Sequence, residues 1–218
     1  MNRVSATQEA YIPSDGRRQL RAIGRSRRFA RDQEIYGDGE NADHIYKVAV
    51  GVVRTYKFLR DGRRHVDAFY GEGSVFGLEL GSRYSLSAAA AGDCTVICYR
   101  RGSLESFASH QERTSLHLLA SALKSLARAQ EHCLSLGCRT AVEKLAVFLL
   151  AGADAGGAGA SNEVVLGMTR KDIADHLGLT IETVSRTFAE LERRALIELH
   201  GARLVRLVKK SDLQGLCL

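Results

Sequence analysis

At 218 residues the chain has room for one large or two small domains, and 45% hydrophobic residues supply enough apolar material for real cores. No apolar run approaches membrane-spanning length, no signal-peptide pattern opens the chain, and five cysteines without a Cys-x-x-Cys pair do not make a secreted disulfide framework, so a reducing cytoplasm is the expected location. The net charge of +6 is concentrated at the amino terminus, where Arg3, Arg17, Arg18, Arg21, Arg25, Arg27, Arg28 and Arg31 face only Glu9 and Asp15.

Residues 1–28 therefore read as a basic arm. It could touch DNA phosphates, but a solvated tail is the simpler reading. Residues 29–103 carry an all-β signal. The short runs 44–50, 52–59, 65–70 and 95–99 are rich in Val, Ile, Tyr and Phe. Turn residues separate them, with Asp61-Gly62 the strongest hairpin signal. Many short strands with regular turns predict a compact β-barrel or roll.

A helical stretch follows over 104–137. Leu116, Leu119, Leu123, Leu126, Gln130 and Cys133 recur at alternating three- and four-residue steps, which is an a/d heptad seam. An amphipathic helix lying on its own barrel would give a similar stripe. Continuity over nearly three heptads favours a partner helix, and with it a homodimer. Gly137 is read as interrupting the helix. Thr140 and Glu143 then form a capping box for a short apolar helix through Leu150. The Gly/Ala-rich stretch 151–161 reads as a flexible connection.

The most informative segment is Thr169-Arg-Lys-Asp-Ile-Ala-Asp-His-Leu-Gly-Leu-Thr-Ile-Glu-Thr-Val-Ser-Arg186. Thr169 and Asp172 have capping-box spacing, Gly178 suits a left-handed helix stop, and Thr180 can cap a second helix. In that second helix Glu182, Ser185 and Arg186 share one face, and Ile181, Val184, Phe188 and Leu191 share the opposite, buried one. A carboxylate, a hydroxyl and a guanidinium on one exposed face suit base edges in a DNA major groove, where Arg pairs with guanine and Glu accepts from the cytosine amino group. Arg170, Thr180 and Thr183 flank that face at helix amino termini and are the expected phosphate contacts. The runs 164–166, 196–199 and 204–208, the last two joined by His200-Gly201-Ala202-Arg203, read as strands that make 138–218 a winged-helix unit.

A β-roll, a long dimer helix and a carboxy-terminal winged helix, in this order, resemble the CRP/FNR family of bacterial transcription regulators. The resemblance runs from about Phe29 to the end. It is densest in Ile173-Ala-Asp-His-Leu-Gly-Leu-Thr-Ile-Glu-Thr-Val-Ser-Arg186, and extends to Tyr36-Gly-Asp-Gly-Glu-Asn-Ala-Asp-His-Ile-Tyr46 and Asp61-Gly-Arg-Arg64. The Glu-x-x-Ser-Arg form is similar to the FNR and FixK branch. The resemblance implies that two subunits read an inverted repeat of TTGA-type half-sites. It further implies contact with RNA polymerase, activation of transcription, and control of low-oxygen respiration or nitrogen-fixation genes.

Departures from the family narrow the reading. The cyclic-nucleotide members use an Arg-Ser/Thr-Ala cradle and a ribose-binding Glu. Here Arg83 is followed by Tyr-Ser-Leu-Ser-Ala-Ala-Ala-Ala91, which does not suit a nucleotide. No cysteine precedes Cys94, so the amino-terminal iron–sulfur ligands of FNR are absent, and a FixK-like protein without cofactor or metal is expected. Gly167 stands where the family often has Pro, and Ala195 where Gly is common. Three other readings compete at this level and are not preferred, an enzyme among them. Arg83, Glu79 and Tyr84 could line a ligand pocket in the roll. The seven histidines His44, His65, His110, His117, His132, His176 and His200 are scattered without an enzyme motif. Cys133 and Cys217 are the candidates for a redox switch.

Overall fold

The computed structural model describes residues 23–155 and 162–217. Most of the basic arm, with Arg3, Arg17, Arg18 and Arg21, and the centre of the Gly/Ala-rich connection lie outside the described residues. Eight strands come first: β1 (Gly24–Phe29), β2 (Glu34–Tyr36), β3 (His44–Val50), β4 (Val53–Phe58), β5 (Arg64–Tyr70), β6 (Val75–Phe76), β7 (Ser87–Ala90) and β8 (Cys94–Arg100). They form two four-stranded antiparallel sheets, ordered β1-β8-β3-β6 and β2-β7-β4-β5, which face each other as the expected roll. The Asp61-Gly62 turn joins β4 to β5, with Gly62 N–H donating to the Leu59 carbonyl at 3.0 Å.

Arg25, Arg27 and Arg28 belong to β1, not to a solvated tail. Their side chains are exposed while their backbone pairs with β8, so hydrogen bonding and the buried Phe29 hold the strand without an apolar face. Charged side chains are a common protection for such an edge. The alanines of β7 are a second element that propensity does not reveal. Ala88, Ala89 and Ala90 are buried in a strand that lies between β2 and β4, although alanine is not a favoured strand residue.

The helical stretch is two helices, α1 (Arg101–Ser109) and α2 (Glu112–Cys138), not one. The Ser109 hydroxyl and His110 Nδ1 both reach back to the Ser106 carbonyl, at 2.8 and 2.7 Å, and close α1 by competing for its last acceptor groups. Gly137 stays inside α2, which ends at the extended Arg139. The Thr140–Glu143 capping box then opens α3 (Ala141–Ala155). This helix runs into the segment expected to be a flexible connection, because Ala153 still packs in the core.

The carboxy-terminal unit contains β9 (Glu163–Val165), α4 (Arg170–Leu177), α5 (Ile181–Arg193), β10 (Ile197–His200), β11 (Leu204–Leu207) and α6 (Lys210–Gly215). The strands form one sheet, β10-β11-β9. Leu145, Leu149, Leu166, Ile173, Val184, Phe188, Leu191, Ile197 and Leu207 make its core. Among the described residues no helix is long and apolar enough to cross a membrane.

The two units meet along β4 and β5. Gly167 lies against Val52 so closely that a Cβ there would come within 2.4 Å of a Val52 methyl, which explains a glycine at this position. His176 Nδ1 lies 2.9 Å from the Val66 carbonyl, so this nitrogen carries the proton. The His176 ring stacks on His132 of α2 with centroids 4.0 Å apart, and His132 stacks in turn near His65.

Burial, then the neighbouring His132, holds His176 down at about 4, against 6.5 for a free imidazole. Between these values the unfolded chain binds a proton that the folded chain refuses. Stability is therefore fully present above about pH 6.5 and falls as pH drops toward 4. Unfolding midpoints measured between pH 7.5 and 5 are expected to fall for the parent and to flatten for His176→Phe, with a residual slope from His132, whose burial also lowers it. A second expectation concerns the end of α5. Ala195 sits at φ 53, where an L side chain is strained, and completes a Schellman-type closure with Leu196 N–H donating to the Leu191 carbonyl at 3.0 Å. Ala195→Gly should raise stability by about 1 kcal/mol in denaturant titration, the relief of left-handed strain exceeding the entropic cost of glycine.

Candidate DNA interface

Local chemistry positions α4 and α5 as the sequence predicts. The Thr169 hydroxyl accepts from Asp172 N–H at 3.1 Å, and the Asp172 carboxylate accepts from Thr169 N–H at 3.0 Å, completing the capping box. Gly178 ends α4 at φ 64, and Leu179 N–H returns to the Ala174 carbonyl at 3.0 Å. Thr180 then caps α5 by accepting from Thr183 N–H at 3.2 Å.

Val184, Phe188 and Leu191 bury their side chains and fix the rotation of α5 about its axis. Glu182, Ser185 and Arg186 are left on the exposed side. Hydrogen bonds from its own backbone N–H and from the Thr180 hydroxyl hold the Glu182 carboxyl below its ordinary range. It is an ionised acceptor at neutral pH. The Ser185 hydroxyl donates to the Ile181 carbonyl at 2.9 Å, which ties it to the helix while leaving acceptor capacity outward.

Two expected placements differ. Periodicity groups Ile181 with the buried stripe, but it is 41% exposed. It is the first residue of α5, and helical side chains tilt toward the amino terminus, so it projects past the residues that cover Val184. Its separation of four residues from Ser185 was the available signal that it shares the readout side. Arg170 does not stand beside Thr180 and Thr183 in the open. Its guanidinium carbon lies 3.3 Å from the Phe188 ring centroid, and Nη1 is buried without a hydrogen-bond partner. Burial pushes the Arg170 guanidinium down from its ordinary value. Thr180 is exposed and Thr183 partly so, their hydroxyls 3.1 Å apart.

The expected seam lies along α2. Leu116, Leu119, Leu123 and Leu126 are each 56% exposed, and Gln130 and Cys133 are exposed with them. The opposite side of the same helix packs on its own subunit through Thr114, Leu118, His132 and Ser135. The leucine stripe is therefore not the face that α2 lays on its own roll.

Inside the roll, Tyr36, Tyr46, Tyr70, Phe76 and Tyr84 stack together, Tyr36 and Tyr84 with centroids 3.7 Å apart. Burial pushes all four tyrosine hydroxyls upward in pKa. The three groups considered for a ligand pocket do not converge. Tyr84 donates to the His44 carbonyl at 2.7 Å, Arg83 to the Gly39 carbonyl at 2.6 Å, and Glu79 accepts from Ser85. Cys94 and Cys98 are buried, Cys133 and Cys138 exposed, and Cys217 intermediate.

Comparison with known proteins agrees with this architecture. Residues 143–216 match a family described as the Crp-like helix-turn-helix domain, and residues 26–111 match the cyclic nucleotide-binding domain. The chain is 42% identical to the nitrogen fixation regulation protein FixK of Azorhizobium caulinodans, over 99% of this chain and 87% of that protein. It is 44% identical to FixK of Rhizobium meliloti, over 85% of this chain and 83% of that protein. The solved structure of FixK2 from Bradyrhizobium japonicum superposes with a TM-score of 0.84 at 38% identity, covering 90% of this chain and 98% of that one. With a cyclic-nucleotide-type roll, a helix-turn-helix DNA-binding unit and these relatives over almost its whole length, the chain belongs to the CRP/FNR family of transcription regulators, in its FixK-like branch.

Proposed function

We propose that this regulator binds, as a homodimer, an inverted repeat of TTGA-type half-sites and activates transcription there. Glu182, Ser185 and Arg186 read bases. The observation that carries the reading is that α5 buries Val184, Phe188 and Leu191 and presents Glu182 and Arg186, an ionised acceptor and a forked donor, together on its free side. The pair is matched to one G·C pair, with the carboxylate accepting from the cytosine amino group and the guanidinium donating to guanine O6 and N7. Ile181 adds an exposed apolar surface for thymine methyl groups. Thr180 and Thr183 hold phosphates at the amino terminus of α5. Arg170 joins them when its guanidinium leaves the Phe188 ring for a phosphate, a movement that would satisfy its buried Nη1.

The FixK relatives are named for regulation of nitrogen fixation. By that likeness the genes served here are those of nitrogen fixation or low-oxygen respiration, the partner enzyme is RNA polymerase, and the site of action is the cytoplasm. The aromatic filling of the roll supports control by the amount of protein present, with no ligand needed in the roll.

Base readout is tested by fluorescence anisotropy on a set of single-base-pair substitutions in each half-site. Arg186→Ala is expected to flatten preference at the G·C position, where a bidentate contact contributes ~1–3 kcal/mol of discrimination, while nonspecific binding largely survives. An unchanged substitution profile would remove Arg186 from the readout set. The dimer is tested separately by sedimentation. Leu123→Asp combined with Leu126→Asp replaces two seam leucines, each worth ~1.5–3 kcal/mol when buried, in both subunits. A folded monomer that no longer binds the inverted repeat is expected. A double variant that stays dimeric would place the subunit contact elsewhere.

A further inference from the structure

The joint between α2 and α3 is short. Arg139 is extended at φ −110 and ψ 147, and Thr140 starts the next cap. Such a joint permits many orientations of the DNA-binding unit on the roll. The orientation is instead selected by directional contacts along β4 and β5, the His176–Val66 hydrogen bond among them. Arg64 of β5 reaches two carboxylates of α4: its Nε donates to Asp175 at 2.9 Å, and its Nη2 donates to Asp172 at 2.7 Å. Asp172 and Asp175 are three residues apart, so one planar guanidinium spans a helical turn. That geometry fixes the height and the rotation of α4, and α5 follows because the two helices share one core.

A second arginine completes the arrangement. Arg54 of β4 is 4% exposed, with Nη1 3.3 Å from Asp172 and Nη2 2.7 Å from the surface residue Asp32. Its Nε and Nη1 have no hydrogen-bond partner. If the DNA-binding unit moved away, Arg54 would keep only Asp32, Arg64 would lose both carboxylates, and Asp172 both cations. A desolvated charge stripped of its partner is strongly disfavoured, so intermediate positions of the unit are costly. Apolar contacts such as Gly167 on Val52 add attraction without comparable direction.

We propose that Arg54 and Arg64 are positioning residues for DNA recognition: they clasp α4 through Asp172 and Asp175, and thereby set the separation of the two recognition helices without a ligand in the roll. The inference rests on the dimeric DNA reading proposed above. The two helices must meet half-sites about one helical turn apart, ~34 Å, so a unit that rocks on its joint would accept several spacings. A clasped unit accepts one.

The test uses the full-length protein and inverted repeats whose spacer is optimal, one base pair longer or one shorter. The parent is expected to disfavour the altered spacers by about tenfold or more, within the usual range of coupling between sites. Arg64→Gln should bind the optimal repeat roughly tenfold more weakly and reduce the spacer discrimination to about threefold or less. Arg64→Lys retains the charge without the fork and should recover only part of it. Asp175→Asn, which leaves the Thr169–Asp172 cap intact, serves as the second variant should Arg64→Gln fail to fold. Hydrogen exchange is followed in peptides covering 64–70 and 170–177, and should rise there in both variants by more than in the remaining peptides of the roll. Spacer discrimination equal to the parent in a folded variant would overturn the proposal, whether or not exchange rises. If the parent binds no inverted repeat, the proposed function fails instead. The clasp is then judged by exchange alone, and equal protection in parent and variant rejects it.

Discussion

Asp172 lies almost fully buried at the start of α4, and its two oxygens have separate tasks. Oδ2 accepts from the Thr169 backbone N–H and hydroxyl, closing the helix amino terminus. Oδ1 faces Arg54 and Arg64 of the roll. Burial by itself would push this carboxyl up, but the Thr169 hydrogen bonds and the two guanidiniums more than offset that and hold it below the ordinary carboxylate range. One ionised group thus couples the local folding of the reading motif to the placement of the whole DNA-binding unit. The capping box is a short-range device, whereas the ion pairs join residues more than 100 positions apart in sequence. Because both draw on the same carboxylate, formation of α4 and its docking support each other.

Helix α2 mediates between the two units by dividing its surface. One side carries Leu118 against the roll and His132 against His176 of α4. The other side carries the exposed leucines. A subunit packed this way already satisfies its own cores, and the remaining leucine stripe is apolar surface of the kind that marks an interaction site. If subunits pair through that stripe, as proposed above, one helix serves both the folding of the subunit and its pairing.

The roll carries the carboxy-terminal unit on its strands β4 and β5. Its interior is occupied by tyrosine and phenylalanine rings, and Arg83, Tyr84 and Glu79 are each engaged with backbone groups of the roll. Stacked aromatics bury large areas and allow little rearrangement. A rigid roll is a suitable anchor for the arginines of β4 and β5, since the direction of an ion pair is only as well defined as the strands that carry it.

Short-range chemistry was legible in the sequence. Thr169 with Asp172, Gly178 and Thr180 each act within a few residues, so spacing alone located α4, its stop and the start of α5. The Asp61-Gly62 turn and the strands around it followed from local pattern for the same reason. The exposed face of α5 was likewise readable for Glu182, Ser185 and Arg186, because periodicity assigns faces well inside a helix. It failed for Ile181, at the helix end where tilt and missing neighbours decide exposure. Strand β1 escaped because it is held by backbone bonds to β8, a partner 70 residues away that no apolar pattern announces. The role of Asp172 and Asp175 against Arg54 and Arg64 escaped for a related reason. In sequence these are four ordinary charged residues on three separate elements, and only the close approach of β4 and β5 to α4 removes the water that would otherwise screen them.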